Sequence, residues 1–225
     1  LAGVALLAMV LMAFIRFPET VVPQGKAAGG RSLSEILRQP VFAVACISAA
    51  LSYGVMNLLM AATPLAMQQC GLGFDDAALV LEWHVIGMFA PGFFTGHLIK
   101  RFGTLTIMAV GAVLTLVCIA IALSGVELHQ FVLSLFLLGV GWNFLFTGST
   151  TLSLGAYRPE EKDKAQAAIN FCVFGVMALT SFASGALVTT QGWALLNMGS
   201  LVPVALMVMA LGWLALQQRA RTAAR

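Results

Sequence analysis

Charge is what this sequence has least of: 9% of its residues are Asp, Glu, Lys or Arg, where soluble domains carry about 25%. With 60% hydrophobic residues and a mean hydropathy of +0.95, the chain cannot present a solvated surface on all sides. An ordinary soluble domain is excluded, and an all-α polytopic membrane protein is expected. Cysteine is scarce and scattered. Cys46, Cys70, Cys118 and Cys172 form no C-x-x-C pair and have no histidine at ligand spacing, so neither a zinc site nor a disulfide framework is indicated, and each reads as a small buried hydrophobe. No nucleophile and base stand at a recognisable spacing, which gives a membrane-embedded enzyme no support. No cofactor and no metal is expected. The formal charge of +3 bears on membrane topology, not on nucleic acid. The basic start and small-residue cleavage site of a signal peptide are also missing.

What is there is a series of long apolar runs. A bilayer core about 30 Å thick takes roughly 20 apolar residues per helix, and the runs predict six spans over about 41–67, 76–99, 105–124, 129–156, 165–190 and 193–216. Together they make a half-bundle over 41–217, followed by a basic tail over 218–225. Residues 1–15 are apolar but too short to span at about 1.5 Å per residue, so they are read as the end of a helix begun upstream. Residues 16–40, with Pro18, Pro23, Gly25, Gly29 and Gly30, read as a linker. Within it Ser32 and Glu35 have capping-box spacing, which predicts a short helix over 33–38. Pro40 suits the first turn of the next span, and Asp75 or Asp76 is placed to cap the helix after that.

The basic residues are sorted by side. Arg16, Lys26, Arg31 and Arg38 lie in the linker, Lys100 and Arg101 in the next turn on the same side, Arg158, Lys162 and Lys164 in a charged loop, and Arg219, Arg221 and Arg225 in the tail. Those are all twelve Lys and Arg residues. The opposite loops carry none, so the positive-inside rule puts linker and tail in the cytoplasm.

Two spans carry polar and methionine stripes at three- and four-residue steps, which places the residues on one face. The first holds Tyr53, Met56, Asn57, Met60, Pro64 and Met67; the second holds Trp142, Asn143, Thr147, Thr150 and Thr151. A polar face in lipid reads either as the wall of a substrate cavity, with Met adapting to apolar ligands and Tyr and Asn orienting them, or as plain helix packing. Glu82 is the one acid well inside a span. It is a candidate for proton coupling, or else an interfacial carboxylate hydrated from outside. His84 lies about 200° round the helix from Glu82, so the two are not a chelating pair; His97 reads as an interface residue. Gly92 and Gly96 have the small-xxx-small spacing that lets membrane helices approach closely.

The run Gly96-x-x-x-Lys100-Arg101-x-Gly103 resembles the cytoplasmic-turn motif of the major facilitator superfamily, Gly-x-x-x-acid-Arg-x-Gly-basic-basic. Gly96, Arg101 and Gly103 match, while Lys100 stands in the acidic place and Thr104-Leu105 in the basic one. The stretches 139–144 and 159–175 are similar to drug/proton-antiporter-like members and to a branch that includes riboflavin transporters. Where that branch would carry an acid near Asn170, this chain has the neutral amide, which cannot release a proton.

The resemblance implies the C-terminal half of a twelve-helix bundle, built as two inverted three-helix repeats over 41–124 and 129–216. Such a half rocks against an N-terminal half in alternating access. It implies a secondary active transporter in the bacterial inner membrane, with a small, partly apolar organic solute, a proton or other coupling ion, the bilayer and the N-terminal half as partners. The first helix of each repeat would face the cavity, making Tyr53, Met56, Asn57, Met60, Trp142, Asn143 and Thr147 the cavity candidates. The third helices would face lipid. A transport-inactive membrane interaction protein is the alternative.

Overall fold

The computed structural model describes residues 30–223, with Gly3, Leu6, Met9, Val10, Met12 and Phe14 as helical residues before them. The remainder of the helix end expected over 1–15, the linker residues 16–29 with Arg16 and Lys26, and the side chains after 220 lie outside the described residues. Every regular element among the described residues is helical.

Ser32 heads the first helix, α1 (Leu33–Leu37), by accepting the Glu35 amide at 3.4 Å. This meets one of the donors that a helix start leaves unpaired. α2 (Pro40–Gln69) follows, with Pro40 in the first turn, where a missing N–H costs nothing. α3 (Phe74–Phe89) begins two residues earlier than the sequence suggests. Asp76 therefore does not head the helix but reaches back to the Gly73 amide at 3.0 Å.

The span expected as one helix over 76–99 is two, α3 and α4 (Gly92–Phe102), bent by 42°. Pro91 is the cause. It has no N–H for the carbonyl four residues back, and its ring crowds that carbonyl. The Phe93 amide then reaches only Ala90 O, at 3.4 Å. Gly103 alone separates α4 from α5 (Thr104–Ser124), with φ of 86°, a left-handed value that glycine adopts without the Cβ penalty. α6 is Leu128–Leu154. After a 3₁₀ turn at Pro159–Glu161, α7 (Lys162–Ala223) breaks at Gly192 (φ 80°) into limbs 162–191 and 193–223.

The helices pair reciprocally. α2 packs on limb 162–191, where a Cβ at Gly54 would stand 2.5 Å from Val176 Cγ1. α6 packs on α3, where a Cβ at Gly139 would stand 2.5 Å from His84 O and one at Gly87 2.5 Å from Phe136 O. So the first helix of each repeat lies on the second helix of the other. α5 packs on α6, with Gly111 and Gly141 in near backbone contact. It also runs antiparallel to limb 193–223, because the Trp193 indole donates to Ala122 O at 3.1 Å.

These contacts correct one expectation. The close approach is made at Gly87, Gly139, Gly111 and Gly141, not at Gly92 and Gly96: a Cβ at Gly96 would meet nothing within 4 Å, and one at Gly92 only the Asn143 amide at 3.6 Å. The main core gathers α2, α3, α5, α6 and the second limb around Leu59, Met67, Met108, Leu135 and Met207. A smaller one joins α1 and the start of α2 to the start of α7 through Ile36, Phe42 and Ile169. It brings Cys46 against Cys172, two residues that the sequence keeps far apart.

Candidate functional site

Tyr53 on α2 and Trp142 and Phe146 on α6 form an aromatic cluster across the two repeats. Trp142 and Phe146, four residues apart and so on one helical face, stack at 5.2 Å and 8°. The Tyr53 ring meets Trp142 edge-on at 5.3 Å and 83°, and Phe146 at 5.5 Å and 75°. These are the favoured arrangements of ring quadrupoles. Tyr53 and Phe146 are half-buried, and Trp142 is buried with its indole Nε1–H lacking any acceptor among the described residues. A buried indole N–H normally finds one. Phe146 escaped the sequence reading because, in a chain this apolar, one more phenylalanine carries no signal; only Trp142 at i−4 could have pointed to it.

The two amides of the stripes are engaged otherwise. Asn57 Nδ2 lies 3.2 Å from Met177 O, 3.0 Å from Thr180 Oγ1 and 2.9 Å from Ser181 Oγ. Asn143 Nδ2 donates to Met88 O at 2.8 Å, and its Oδ1 accepts from Thr95 Oγ1 at 2.7 Å. Each ties the first helix of its repeat to the second helix of the other. Met56 is buried in the main core, Met60 is half-buried against it, and Thr147 is half-buried with its carbonyl taken by the Thr150 and Thr151 hydroxyls.

Glu82 is exposed on α3, in a shallow hollow of about 530 Å³ with Ala78, Leu81, Val85 and Ile86. His84, two residues on, is fully buried. Its Nδ1 must carry the proton, because it lies 2.7 Å from Leu135 O and a carbonyl only accepts; Nε2 is buried and has no partner among the described residues. His97 is exposed near the turn. In the turn, the Arg101 guanidinium sits 5.2 Å from the centroid of the Phe102 ring, and Gly96 is open.

A clasp that the sequence did not disclose closes the same end of the molecule. Glu161, with no exposed side chain, accepts Arg31 Nη2 at 2.7 Å and Arg31 Nε at 3.0 Å. It also takes the backbone amides of Arg31 at 2.7 Å and Arg158 at 2.9 Å, and Arg31 reaches Ala156 O at 3.0 Å. The Arg31 side chain, then the Arg158 amide, hold the Glu161 carboxyl well below the usual carboxylate range. The partners are 130 residues apart, and no local spacing links them.

The sequence profile of the Major Facilitator Superfamily matches residues 1–179 and 45–225. The chain is 42% identical over 197 residues, 87% of its length, to a Brucella anthropi protein named Riboflavin transporter RfnT, covering 50% of that relative. It is also 33% and 32% identical, over 135 and 136 residues, to the uncharacterized MFS-type transporters YddS and YdeG of Bacillus subtilis strain 168, covering 59% of this chain and 30% of each relative. The chain thus spans half or less of the curated relatives it matches.

Proposed function

We propose, because this chain belongs to the Major Facilitator Superfamily, that it supplies the C-terminal half of a secondary active transporter for a small planar aromatic solute, with riboflavin as the first substrate to test. The observation that carries this reading is the Tyr53–Trp142–Phe146 cluster, half-open and holding one unused indole donor. Aromatic faces take a flat ring system by stacking, and a single N–H directs it. The likeness to a protein named for riboflavin supports the choice of solute. Alternating access would come from this half rocking against an N-terminal half. That half would pack on the open face of α3 and α4, where Gly92 and Gly96 leave room for a close backbone. The basic residues of the turns and tail support an orientation with linker and tail in the cytoplasm of a bacterial inner membrane.

Glu82 is proposed as the coupling acid. Uptake of labelled riboflavin by cells carrying the whole protein is expected to exceed that of vector controls and to be lost on Trp142→Ala at matched expression. No riboflavin-dependent uptake by well-inserted protein would overturn the substrate. Glu82→Gln is expected to abolish accumulation while leaving exchange, because an amide keeps the shape but cannot release a proton. An unchanged accumulation ratio and pH profile would remove Glu82 from the mechanism.

A further inference from the structure

A trough of about 280 Å³ runs along the seam between α5 and limb 193–223. It exists because small residues face one another there: Ala109 and Ala112 on α5, Gly212 and Ala215 on the limb. On α5 its lining runs from Leu105 to Leu116, eleven rises of about 1.5 Å or roughly 16 Å. That is about half of a hydrocarbon core roughly 30 Å thick, the depth of one leaflet. The trough is therefore as long as the part of a lipid tail that lies in a single leaflet.

Its ends differ in chemistry. Beyond the far end, past Leu116, the Trp193 indole is bonded to Ala122 O, and its ring packs on Phe131 at 5.3 Å. Because the two helices are antiparallel, the other end brings Leu105 beside Ala215. Lys100 and Arg101 close the last turn of α4, just across the Gly103 break from Leu105, and Arg219 follows Ala215 by one turn. All three are exposed. The ion pairs among the described residues are Arg31–Glu161 and His129–Glu127, so none of the three is neutralised by an acidic side chain. The start of α5 adds to the field, since Gly103 offers its first amides no side-chain cap.

We infer that this seam is a binding site for one anionic phospholipid, with an acyl chain in the trough and the phosphate headgroup held by Lys100, Arg101 and Arg219. A zwitterionic headgroup brings its own cation to a mouth that already has three, whereas a net negative one does not. Basic pockets between membrane helices on the cytoplasmic side select anionic lipids for this reason. The site involves neither the aromatic cluster nor the solute. It places lipid on the third helices of both repeats, away from the amide ties.

The test is native mass spectrometry of the whole protein in mild detergent, titrated with phosphatidylglycerol or phosphatidylcholine of the same chains. Wild type is expected to retain one phosphatidylglycerol at least about ten-fold more tightly than phosphatidylcholine. The triple variant Lys100→Gln, Arg101→Gln, Arg219→Gln should lose that preference. Gly212→Leu, which fills the trough, should lose the retained lipid, while Gly199→Leu, open on the same limb but outside the trough, should keep it. Equal retention of the two lipids by wild type overturns the inference, as does a preference that survives either the triple variant or Gly212→Leu.

Discussion

Asn57 and Asn143 hold matching posts in the two repeats, each beside residues of the aromatic cluster, but amides and aromatics are used differently. Each amide donates to the carbonyl of a methionine on a crossing helix, Met177 or Met88, and engages a threonine hydroxyl nearby, Thr180 or Thr95. The aromatic rings contact one another and leave the Trp142 N–H without an acceptor among the described residues. In lipid a polar group without a partner costs free energy. An amide consumed by a neighbouring helix is structure, while a donor left over is capacity for a ligand. One helix can hold both kinds side by side, as Trp142 and Asn143 do.

The largest effect on this comparison should come from separating α3 and α6. Gly139→Val places carbon against His84 O and Met88 N, pushing Met88 O away from Asn143. We expect a loss of about 3 kcal/mol, from overpacking against backbone, seen as failure to recover monodisperse protein. Gly96→Ala, with nothing nearby in this half, should leave the α3–α6 packing intact.

Next, Asn143→Ala and Asn57→Ala should each cost about 0.6 to 1.7 kcal/mol, the range for hydrogen bonds between membrane helices, in reversible unfolding from micelles. The surviving folded protein should bind solute with unchanged affinity. A fall in affinity at unchanged stability would move the amides into the cavity and erase the contrast. Trp142→Phe should do the reverse, lowering affinity about five-fold, the worth of a hydrogen bond of about 1 kcal/mol, while leaving stability nearly as it was. Among the described residues the Trp142 N–H makes no bond that the change would remove.

The smallest effect concerns the clasp below α2. Because the folded Glu161 carboxyl lies below its unfolded value, its stabilisation is complete above about pH 4.3. It is lost as pH falls through the folded value. The stability difference between wild type and Glu161→Gln should be flat from pH 7 to about pH 5 and shrink at lower pH in thermal unfolding; growth of the difference with acid would refute the clasp.

The sequence by itself determined the class of molecule. So little charge cannot solvate a globule, the apolar runs have the length of a bilayer, and the sorting of all twelve basic residues is a property of their order along the chain. It also determined local starts, since Ser32 and Pro40 act within one turn of themselves. Only the tertiary structure supplied the partners of the polar stripes. Helical periodicity tells which residues share a face but not what lies across from it, and a cavity wall and a packed seam ask for the same residues in lipid. Met177, Thr180, Met88 and Thr95 come to the amides from distant parts of the chain. So does Arg31 to Glu161, across 130 residues. The glycines follow the same logic: Gly92 and Gly96 have the spacing, but Gly87 and Gly139 have the neighbouring backbone, because close approach belongs to two helices and a spacing belongs to one.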